Sequence, residues 1–530
     1  MFNFCKKYIL KYKKQLSIYI FFSLTITFIT AYTPIIFAKM IDIISLNANV
    51  KTLISLGMLA TILSIIKLII SYFNNKLYLI IQANSAIDIN TEIIQHLHKI
   101  SLTKIQKMDA GYLNESINRD SNSIVIFFIS TLTGLISNII LIFCSLYVLS
   151  HIEIKLTLIL LLSVMVYIIV YLLSKKKLEK KANELKDAQS TFFSKLLEQF
   201  TNIKFIKLHS LESLYKTQLK EEFDNFFKIA FNVQQFFFLY SSIDSVLEII
   251  TNFCIYVLGG IFVMNNTITL GLFTIIINYY NNLLSAIRYF VNFGKDYQEN
   301  NASYHRLSTY ESLPEQQIGD KNLSKIYSIR CDSISFKRSG KTIIDNFSYS
   351  FKKGNIYYIQ GQNGVGKTTL IDLLLGMFIG EYTGNIYYNH VDIKNLNMSK
   401  IRYEKISVLE QTPYLIKGNI IDNIFLTERH TNKIFQNNFL PQKVDGIFSS
   451  GNALSGGERQ KIGLLRMFAK EADVYIMDEP TASLDQVSKN CLYHELYGLK
   501  KDKIIIIISH DKELISYADE IIQLHVFQNK

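Results

Sequence analysis

The stretch GQNGVGKTT, Gly361 to Thr369, decides how the C-terminal part of this chain folds. It fits the pattern G-x-x-x-x-G-K-T, follows the apolar run NIYYIQ and precedes the apolar run LIDLLLGMF. This order predicts a strand, a glycine loop and a helix, whose backbone N–H groups bind phosphate oxygens. Lys367 is then predicted to contact the β- and γ-phosphates, and the Thr368 hydroxyl to bind Mg²⁺.

Segments downstream of the glycine loop carry the groups that hydrolysis of a phosphate ester needs. VYIMDEP is an apolar strand that ends in Asp478, suited to a Mg²⁺-water contact, and in Glu479, suited to act as general base. IIIIISH places His510 after five isoleucines, a run typical of a fully buried parallel strand. The segments LEQTP, with Gln411, and LSGGERQ lie between the loop and these acids.

The order of these motifs resembles the nucleotide-binding domain of ABC transporters over about residues 325–530. The resemblance implies that two such domains sandwich two ATP molecules, with the glycine loop of one facing LSGGERQ of the other. It implies these nucleotide contacts: Gly361, Asn363, Gly364, Gly366, Lys367, Thr368, Thr369, Ser455, Gly456, Gly457 and Asp485. It also implies Mg²⁺ ligation by Thr368, Gln411 and Asp478, and catalytic roles for Glu479, His510 and Gln411. Asp485 is further expected to signal across the dimer.

One position departs from that family's pattern. The family stacks adenine on an aromatic side chain shortly after a short strand, here ISF, but the expected position holds Arg338. A guanidinium plane also stacks on a base, so Arg338 is predicted to hold the nucleotide base.

Long apolar runs predict six membrane spans in the first three hundred residues, because about 20 apolar residues cross the hydrocarbon layer as a helix. The predicted spans are Gln15–Ala38, Thr52–Asn75 (interrupted by Lys67), Ser121–Ser150, Leu156–Ser174, about Phe236–Val263 and about Leu270–Val291.

The distribution of Lys and Arg predicts the orientation of these spans. The first fourteen residues carry five Lys and no acid, whereas the turns Ile41–Val50 and Met264–Thr269 carry no Lys or Arg. The N-terminus and the ATPase domain are therefore expected in the cytoplasm, and the spans in the cytoplasmic (inner) membrane. Lys residues that flank the spans account for much of the net charge of +12, so a nucleic-acid partner is not expected. The first apolar run is too long for a cleavable signal peptide.

The predicted fold is an α-helical six-span transmembrane domain with long cytoplasmic extensions, followed by an α/β P-loop ATPase domain. The predicted boundaries are 1–312 for the transmembrane domain, 313–328 for a linker and 329–530 for the nucleotide-binding domain. Ser101–Ile124 and Gln199–Leu214 resemble the two cytoplasmic loops of six-span ABC exporters, which carry short coupling helices.

Polar groups inside the predicted spans leave several interpretations open. Asp244 and Glu248 stand four apart and share one helical face. They either face a cavity that favours cationic cargo, or lie on the cytoplasmic extension of the helix, or pair with Lys67 or Arg288. Tyr240, Asn278, Asn281 and Asn282 are candidates for contacts with peptide amides. The five Cys are scattered without metal or disulfide spacing.

These features favour ATP-driven export of a solute over an ATP-dependent regulator or channel with the same fold. The stretch DAGYLNESINRDSNSI, Asp109 to Ile124, and the short chain resemble bacterial exporters of small antimicrobial peptides, such as microcin and lasso-peptide exporters. No peptidase-like segment precedes the spans, so we expect leader removal elsewhere. The expected partners are a second copy of the chain, membrane lipid and an exported peptide or other small amphipathic substrate. Export of a drug or a lipid is the alternative.

Overall fold

The computed structural model describes residues 1–46, 49–106, 108, 110–338, 340–426 and 454–524, apart from the side chains of residues 110–112, 115, 155, 156, 159, 179 and 244. The chain divides into two compact units. The helical unit comprises Met1–Ile94 and Leu113–Glu311, and the α/β unit comprises Gln95–Tyr112 and Ser312–Lys530.

Long apolar sequences with little Gly or Pro fold into helices that continue well beyond the predicted spans. The helices up to residue 311 are α1 (Phe2–Ile9), α2 (Lys13–Ser45), α3 (Val50–Leu97), α4 (Leu102–Ile105), α5 (Ala110–Ile152), α6 (Ile154–Thr201), α7 (Ile203–Leu208), α8 (Glu212–Met264) and α9 (Leu270–Glu311). Each predicted span lies inside one of them, and the short helices α4 and α7 fall within the two predicted cytoplasmic loops.

Five stretches of the described chain are long and apolar enough to cross a membrane: Phe2–Ser45, Val50–Leu97, Ser116–Ile152, Glu212–Met264 and Leu270–Glu311. Large apolar side chains on them, such as Phe21, Leu68 and Phe143, are more than 60% exposed. The predicted fourth span, Leu156–Ser174, lies in α6 and includes side chains outside the described residues. The sixth crossing therefore stays a prediction.

Hydrogen bonds join helices of the helical unit that are far apart in sequence. The Tyr279 hydroxyl, fully buried, donates to the Ala31 carbonyl at 2.5 Å. At the ends of α2 and α9, Asp42 accepts hydrogen bonds from the Thr269 hydroxyl at 2.8 Å and from the Gly271 N–H at 2.6 Å. The carboxylate thus caps the N-terminus of α9, where a negative charge is favourable.

A buried ion pair ties α5 to the C-terminal part of α9. The Arg306 guanidinium donates to both Asp120 oxygens, at 2.6 and 2.7 Å, and the Ser303 hydroxyl donates to the same carboxylate at 3.1 Å. The Asp120 side chain is only 1% exposed. Its charge is therefore compensated almost entirely by protein groups.

The α/β unit contains two sheets. Its strands are β1 (Ser328–Arg338), β2 (Lys341–Lys352), β3 (Ile356–Gln360), β4 (Tyr382–Tyr388), β5 (Val391–Asp392), β6 (Ile406–Leu409), β7 (Val474–Asp478), β8 (Ile504–Ile508) and β9 (Glu520–Gln523). Its described helices beyond residue 312 are α10 (Lys367–Leu374), α11 (Met398–Lys405), α12 (Ile420–Ile424), α13 (Gly456–Ala469), α14 (Gln486–Lys500) and α15 (Lys512–Ile515).

One sheet is antiparallel in the order β2-β1-β4-β5, and the other is parallel in the order β6-β7-β8-β3-β9. The five isoleucines form β8 and are all buried, which confirms the expectation for that run. A strand covered on both faces has no side that needs polar residues, and this explains the unbroken apolar sequence.

The unit boundaries differ from the predicted domain ranges in two places. Residues 95–112, including α4, group with the α/β unit, and so does the predicted linker 313–328. The linker is held there by backbone hydrogen bonds, from the Gln316 N–H to Lys99 and from the Gly319 N–H to Leu396. These bonds satisfy backbone groups that a solvated linker would leave to water.

Candidate active site

The predicted catalytic segments meet at one edge of the parallel sheet. The glycine loop follows β3, Gln411 follows β6, Asp478 and Glu479 end and follow β7, and His510 follows β8. Because these strands are parallel, their carboxyl ends lie at the same edge. Four segments far apart in sequence thus contribute to one site.

The glycine loop has backbone angles that other residues rarely adopt. Gly364 and Gly366 have φ of +81° and +103°, and Gly366 is the N-cap of α10. A Cβ at Gly366 would also lie 2.8 Å from the Cγ2 atom of Ile343. The loop and the helix N-terminus it leads into form the anion-binding arrangement predicted from the sequence.

Lys367 is fixed against the loop that it follows. Its ammonium donates to the carbonyl of Gly361 at 2.7 Å and to that of Gln362 at 3.3 Å, and the residue is 9% exposed. These two hydrogen bonds fix the position of the ammonium beside the glycine loop, where it can bind phosphate oxygens.

Two of the predicted metal ligands are in contact. The Thr368 hydroxyl donates to a carboxylate oxygen of Asp478 at 2.9 Å. Burial raises the pKa of Asp478, while the Thr368 hydrogen bond and the Lys367 charge oppose the shift. A hydroxyl and a carboxylate supply oxygen ligands of the kind that Mg²⁺ accepts beside water and phosphate. The described residues hold no cluster of three or more His, Cys, Asp or Glu side chains arranged for a metal.

Glu479 has a strained backbone that its neighbours hold in place. Its φ is +50°, its N–H donates to the Ile508 carbonyl at 2.8 Å, and its own carbonyl accepts from the Gln460 amide at 3.2 Å. Such a conformation costs about 1–3 kcal/mol in a residue other than glycine and is frequent at functional sites. The half-buried carboxylate is therefore aimed by β7, β8 and α13 together.

His510 connects the glycine loop with Glu479. Its Nε2 atom lies 3.2 Å from the Asn363 amide oxygen, 3.5 Å from the Lys367 ammonium and 3.6 Å from a Glu479 carboxylate oxygen. The structure thus brings Asn363, Lys367, Thr368, Asp478, Glu479 and His510 together. Gln411 is exposed at the same sheet edge, and its role stays a prediction.

Ser455 begins a separate part of the site. It is the N-cap of α13 in a reciprocal capping box with Glu458, and Ser455 and Gly456 are exposed. A Cβ at Gly457 would lie 2.7 Å from the Ser483 carbonyl oxygen, so only glycine permits this approach. The Ser455 end of α13 therefore presents backbone N–H groups at the surface.

Asp485 is bound within its own chain. Its carboxylate accepts from Lys461 at 2.7 Å and from the Ser488 N–H at 2.8 Å, where it caps α14. These bonds hold the pKa of Asp485 well below its usual range. The predicted contact of Asp485 with nucleotide and the predicted signal across a dimer both stay predictions.

Arg338 lies at the end of β1, where its guanidinium donates to the Gln106 side chain at 2.5 Å. Phe336, two residues earlier, stacks on Phe378 at 4.9 Å in the core and is 1% exposed. Phe336 therefore cannot replace the missing aromatic residue at the base.

Asp372 follows Thr368 by one helical turn, and it was not among the site residues predicted from the sequence. Burial raises its pKa to about 6, with smaller contributions from Arg338, which lowers the pKa, and from Asp478 and Glu410, which raise it. The available signal was an acid inside the otherwise apolar run LIDLLLG.

In the helical unit, Glu248 pairs with Arg288 at 2.8 Å, one of the two partners predicted, and the Asp244 side chain lies outside the described residues.

Comparison with known families agrees with this geometry. Residues 16–287 match the family described as ABC transporter transmembrane region, and residues 344–482 match the family described as ABC transporter. The chain belongs to the ABC transporter family. The transporter therefore couples ATP hydrolysis by its α/β unit to transport. The predictions of the family, of a helical transmembrane domain followed by an ABC ATPase domain, and of ATPase activity are confirmed.

The transporter is similar along most of its length to curated proteins. It is 25% identical to a lactococcin transport/processing ATP-binding protein LcnC-like of Lactococcus lactis, over 97% of this chain and 74% of that protein. It is 24% identical to the microcin-J25 export ATP-binding/permease protein McjD of Escherichia coli, over 93% and 88%. A shorter match, 29% identical over 53% and 52%, is to an ATP-dependent lipid A-core flippase of Colwellia psychrerythraea.

A solved structure shares the fold. An ATP-bound bacterial Atm1-family ABC exporter superposes with a TM-score of 0.80, at 16% identity, over 97% of this chain and 93% of the other. At this identity the likeness concerns the fold alone.

Proposed function

We propose that the transporter exports a small antimicrobial or modified peptide out of the cytoplasm, driven by ATP. The observation that carries this proposal is the similarity to two proteins named for peptide transport, LcnC-like and McjD, which extends through the transmembrane region. The flippase match covers about half of each chain and is weaker support for a lipid cargo. The Lys-rich N-terminus supports a cytoplasmic location of that end, with the spans in the inner membrane.

The site geometry supports a role for each catalytic group. Thr368 and Asp478, together with Gln411 from the same sheet edge, would hold Mg²⁺, which neutralises phosphate charge when bound. Lys367 and the N–H groups of the glycine loop bind the phosphates, and His510 contacts the terminal phosphate. Glu479 accepts a proton from the attacking water, because its carboxylate is held rigidly next to His510.

We further infer that the working unit is a homodimer. Ser455, Gly456 and Gly457 form a cluster of their own on α13 and would complete the nucleotide site of a second copy.

A second feature that supports a dimer is a surface that we name the apolar tip, formed by the C-terminal end of α6 and by α7. It exposes the large apolar side chains of Phe193, Leu197, Phe200, Ile203, Phe205 and Leu208. These residues lie beyond the Lys-rich end of the predicted fourth span, so membrane lipid does not cover them, and an apolar surface of this kind fits a partner chain.

Cysteine cross-linking tests the dimer. Gln362→Cys combined with Gly456→Cys is expected to give a cross-linked dimer that accumulates with ATP, because the glycine loop of one copy faces α13 of the other. Gln362 is chosen over Gly364, whose φ of +81° would strain a cysteine. The two single variants control for cross-links through the native cysteines. Active protein that forms no ATP-dependent cross-link would contradict the homodimer.

Substitution of Arg338 tests its assignment to the nucleotide base. Arg338→Tyr is expected to lower the Kd for ATP about two- to fivefold, since an aromatic ring stacks on adenine without a charge to desolvate. The measurement is ATP and GTP binding to the purified transporter, with Lys337→Tyr as the neighbouring control. If both affinities stay unchanged, the base is held elsewhere.

The cargo class is tested in liposomes that contain the purified transporter. Microcin J25 and lactococcin A serve as peptide probes, and lipid A and a hydrophobic dye serve as alternatives. We expect ATPase stimulation of severalfold by at least one peptide and little response to lipid A or dye. Stimulation by lipid A or dye alone would replace the peptide proposal by the lipid or drug alternative.

A further inference from the structure

A small, partly open cavity lies between α6, α8 and α9 of the helical unit. Its polar lining residues are Ser163, Tyr167, Glu248, Thr251 and Tyr280, and Leu247 and Leu284 complete the lining. With all side chains in place, the cavity has room for about one water molecule. A cationic group of a larger molecule would therefore fit only if a side chain beside the cavity withdrew.

Glu248 contributes a negative charge to this cavity and already has a cation beside it. The Arg288 guanidinium donates to the Glu248 carboxylate at 2.8 Å, and its central carbon lies 5.9 Å from the centre of the Tyr167 ring. Both residues fall inside predicted spans five and six, where ionisable groups are costly and often functional. The contacts of Arg288 are those that any guanidinium or ammonium group would make there.

The hydroxyl groups of the cavity offer acceptors. The Ser163 hydroxyl donates to the Leu160 carbonyl at 2.7 Å, and the Thr251 hydroxyl donates to the Leu247 carbonyl at 2.8 Å. Their hydrogens are used within their own helices, so their oxygen lone pairs are what a ligand meets. A carboxylate, hydroxyl oxygens and an aromatic face together recognise a cation.

We propose that this cavity binds one cationic group of the cargo, an ammonium or guanidinium, and that Arg288 holds the Glu248 carboxylate in its place until cargo binds. The proposal rests on export of a peptide as the proposed function. The Glu248 side chain is 36% exposed, and exchange of one cation for another keeps its carboxylate paired throughout within the predicted span, where an unpaired charge is costly. Two of the interpretations of Glu248 from the sequence, pairing and cargo binding, are then successive states of one site.

Peptide binding measured by fluorescence tests this proposal. The chain contains no Trp, so a Trp-containing peptide reports its own binding without background from the protein. Two synthetic peptides of the same apolar sequence are compared, one with a single Lys and one with norleucine at that position. We expect the unmodified transporter to bind the Lys peptide about tenfold more tightly.

The variants separate the roles of the two side chains. Glu248→Gln is expected to remove the preference for Lys, whereas Arg288→Gln is expected to tighten binding of the Lys peptide severalfold, because the competing cation is gone. Arg288→Lys keeps a competing cation and should retain the unmodified behaviour. Lys295→Gln is the matched control, because Lys295 forms an exposed ion pair with Glu299 on the same helix, away from the cavity. Size-exclusion elution and the thermal unfolding temperature of each detergent-solubilised variant verify that it is folded.

Three results would overturn the proposal: equal or absent binding of the two peptides by the unmodified transporter, an unchanged Lys preference in Glu248→Gln, or weaker Lys-peptide binding in folded Arg288→Gln. Export is measured separately, as ATP-dependent uptake of the Lys peptide into inside-out vesicles. Selective binding without uptake would contradict the proposed function while supporting the cation subsite.

Discussion

Glu479→Gln is expected to lower ATP turnover by about 10²–10⁴-fold, while ATP binding persists. Glutamine has the shape of glutamate and preserves the contacts of the backbone with Ile508 and Gln460, but its amide cannot accept the proton of the attacking water. The measurement pairs steady-state ATPase rates with ATP binding by equilibrium dialysis. A drop in rate without a loss of binding identifies the general base.

Glu404→Gln is the matched control for this variant. Glu404 forms an exposed pair with Lys400 on α11 and is expected to tolerate the same change with a nearly normal rate. An ATPase rate of Glu479→Gln within a few-fold of the unmodified transporter would show that another group accepts the proton.

The second large effect is expected from Arg306→Met, which removes the cation that binds both oxygens of the buried Asp120 carboxylate. Breaking a buried pair on one side costs about 3–5 kcal/mol of folding free energy. The Asp120 side chain is 1% exposed, and the described contacts that it would keep are the Ser303 hydrogen bond and a longer contact of 3.7 Å with Arg119. We expect a marked fall in the thermal unfolding temperature of the detergent-solubilised transporter and a lower yield.

A second substitution distinguishes lost charge compensation from lost packing. Asp120→Asn added to Arg306→Met removes the unpaired charge and should recover part of the stability. Lys195→Met breaks the exposed pair with Glu198 and should cost no more than about 1 kcal/mol. If the double variant is no more stable than Arg306→Met, the ion pair is not what stabilises this contact.

Local patterns predicted much of the active site. The glycine loop, the strand that ends in Asp478 and the isoleucine strand before His510 each have a signal in a few consecutive residues, because backbone angles and burial on both faces restrict local residue choice. The parallel sheet then follows, since strands separated by helices must return in the same direction. The meeting of Asn363, Glu479 and His510 at one edge is a consequence of that topology.

Contacts that depend on distant residues could not be predicted in this way. Asp120 and Arg306 are 186 residues apart, and nothing near either one indicates its partner. The hydrogen bond of Arg338 to Gln106 and the docking of 313–328 also depend on residues that come close only in the folded unit. The positive φ of Glu479 is imposed by neighbours from β8 and α13, so the residues next to it in sequence do not predict this backbone conformation.

The junction at which Asp42 caps α9 provides a fixed reference point for distance measurements of helix movement in the helical unit. Two hydrogen bonds that the Asp42 carboxylate accepts tie the last turn of α2 to the first turn of α9, and a Cβ at Gly271 would lie only 2.2 Å from the Ala38 carbonyl oxygen. The exposed residues Leu46 and Leu270 flank this junction and accept spectroscopic labels without entering it. The distance between two labels at these positions should stay constant, because the Asp42 carboxylate holds the two helix ends together. Distances from these labels to labels elsewhere in the helical unit then report movement of the other helices.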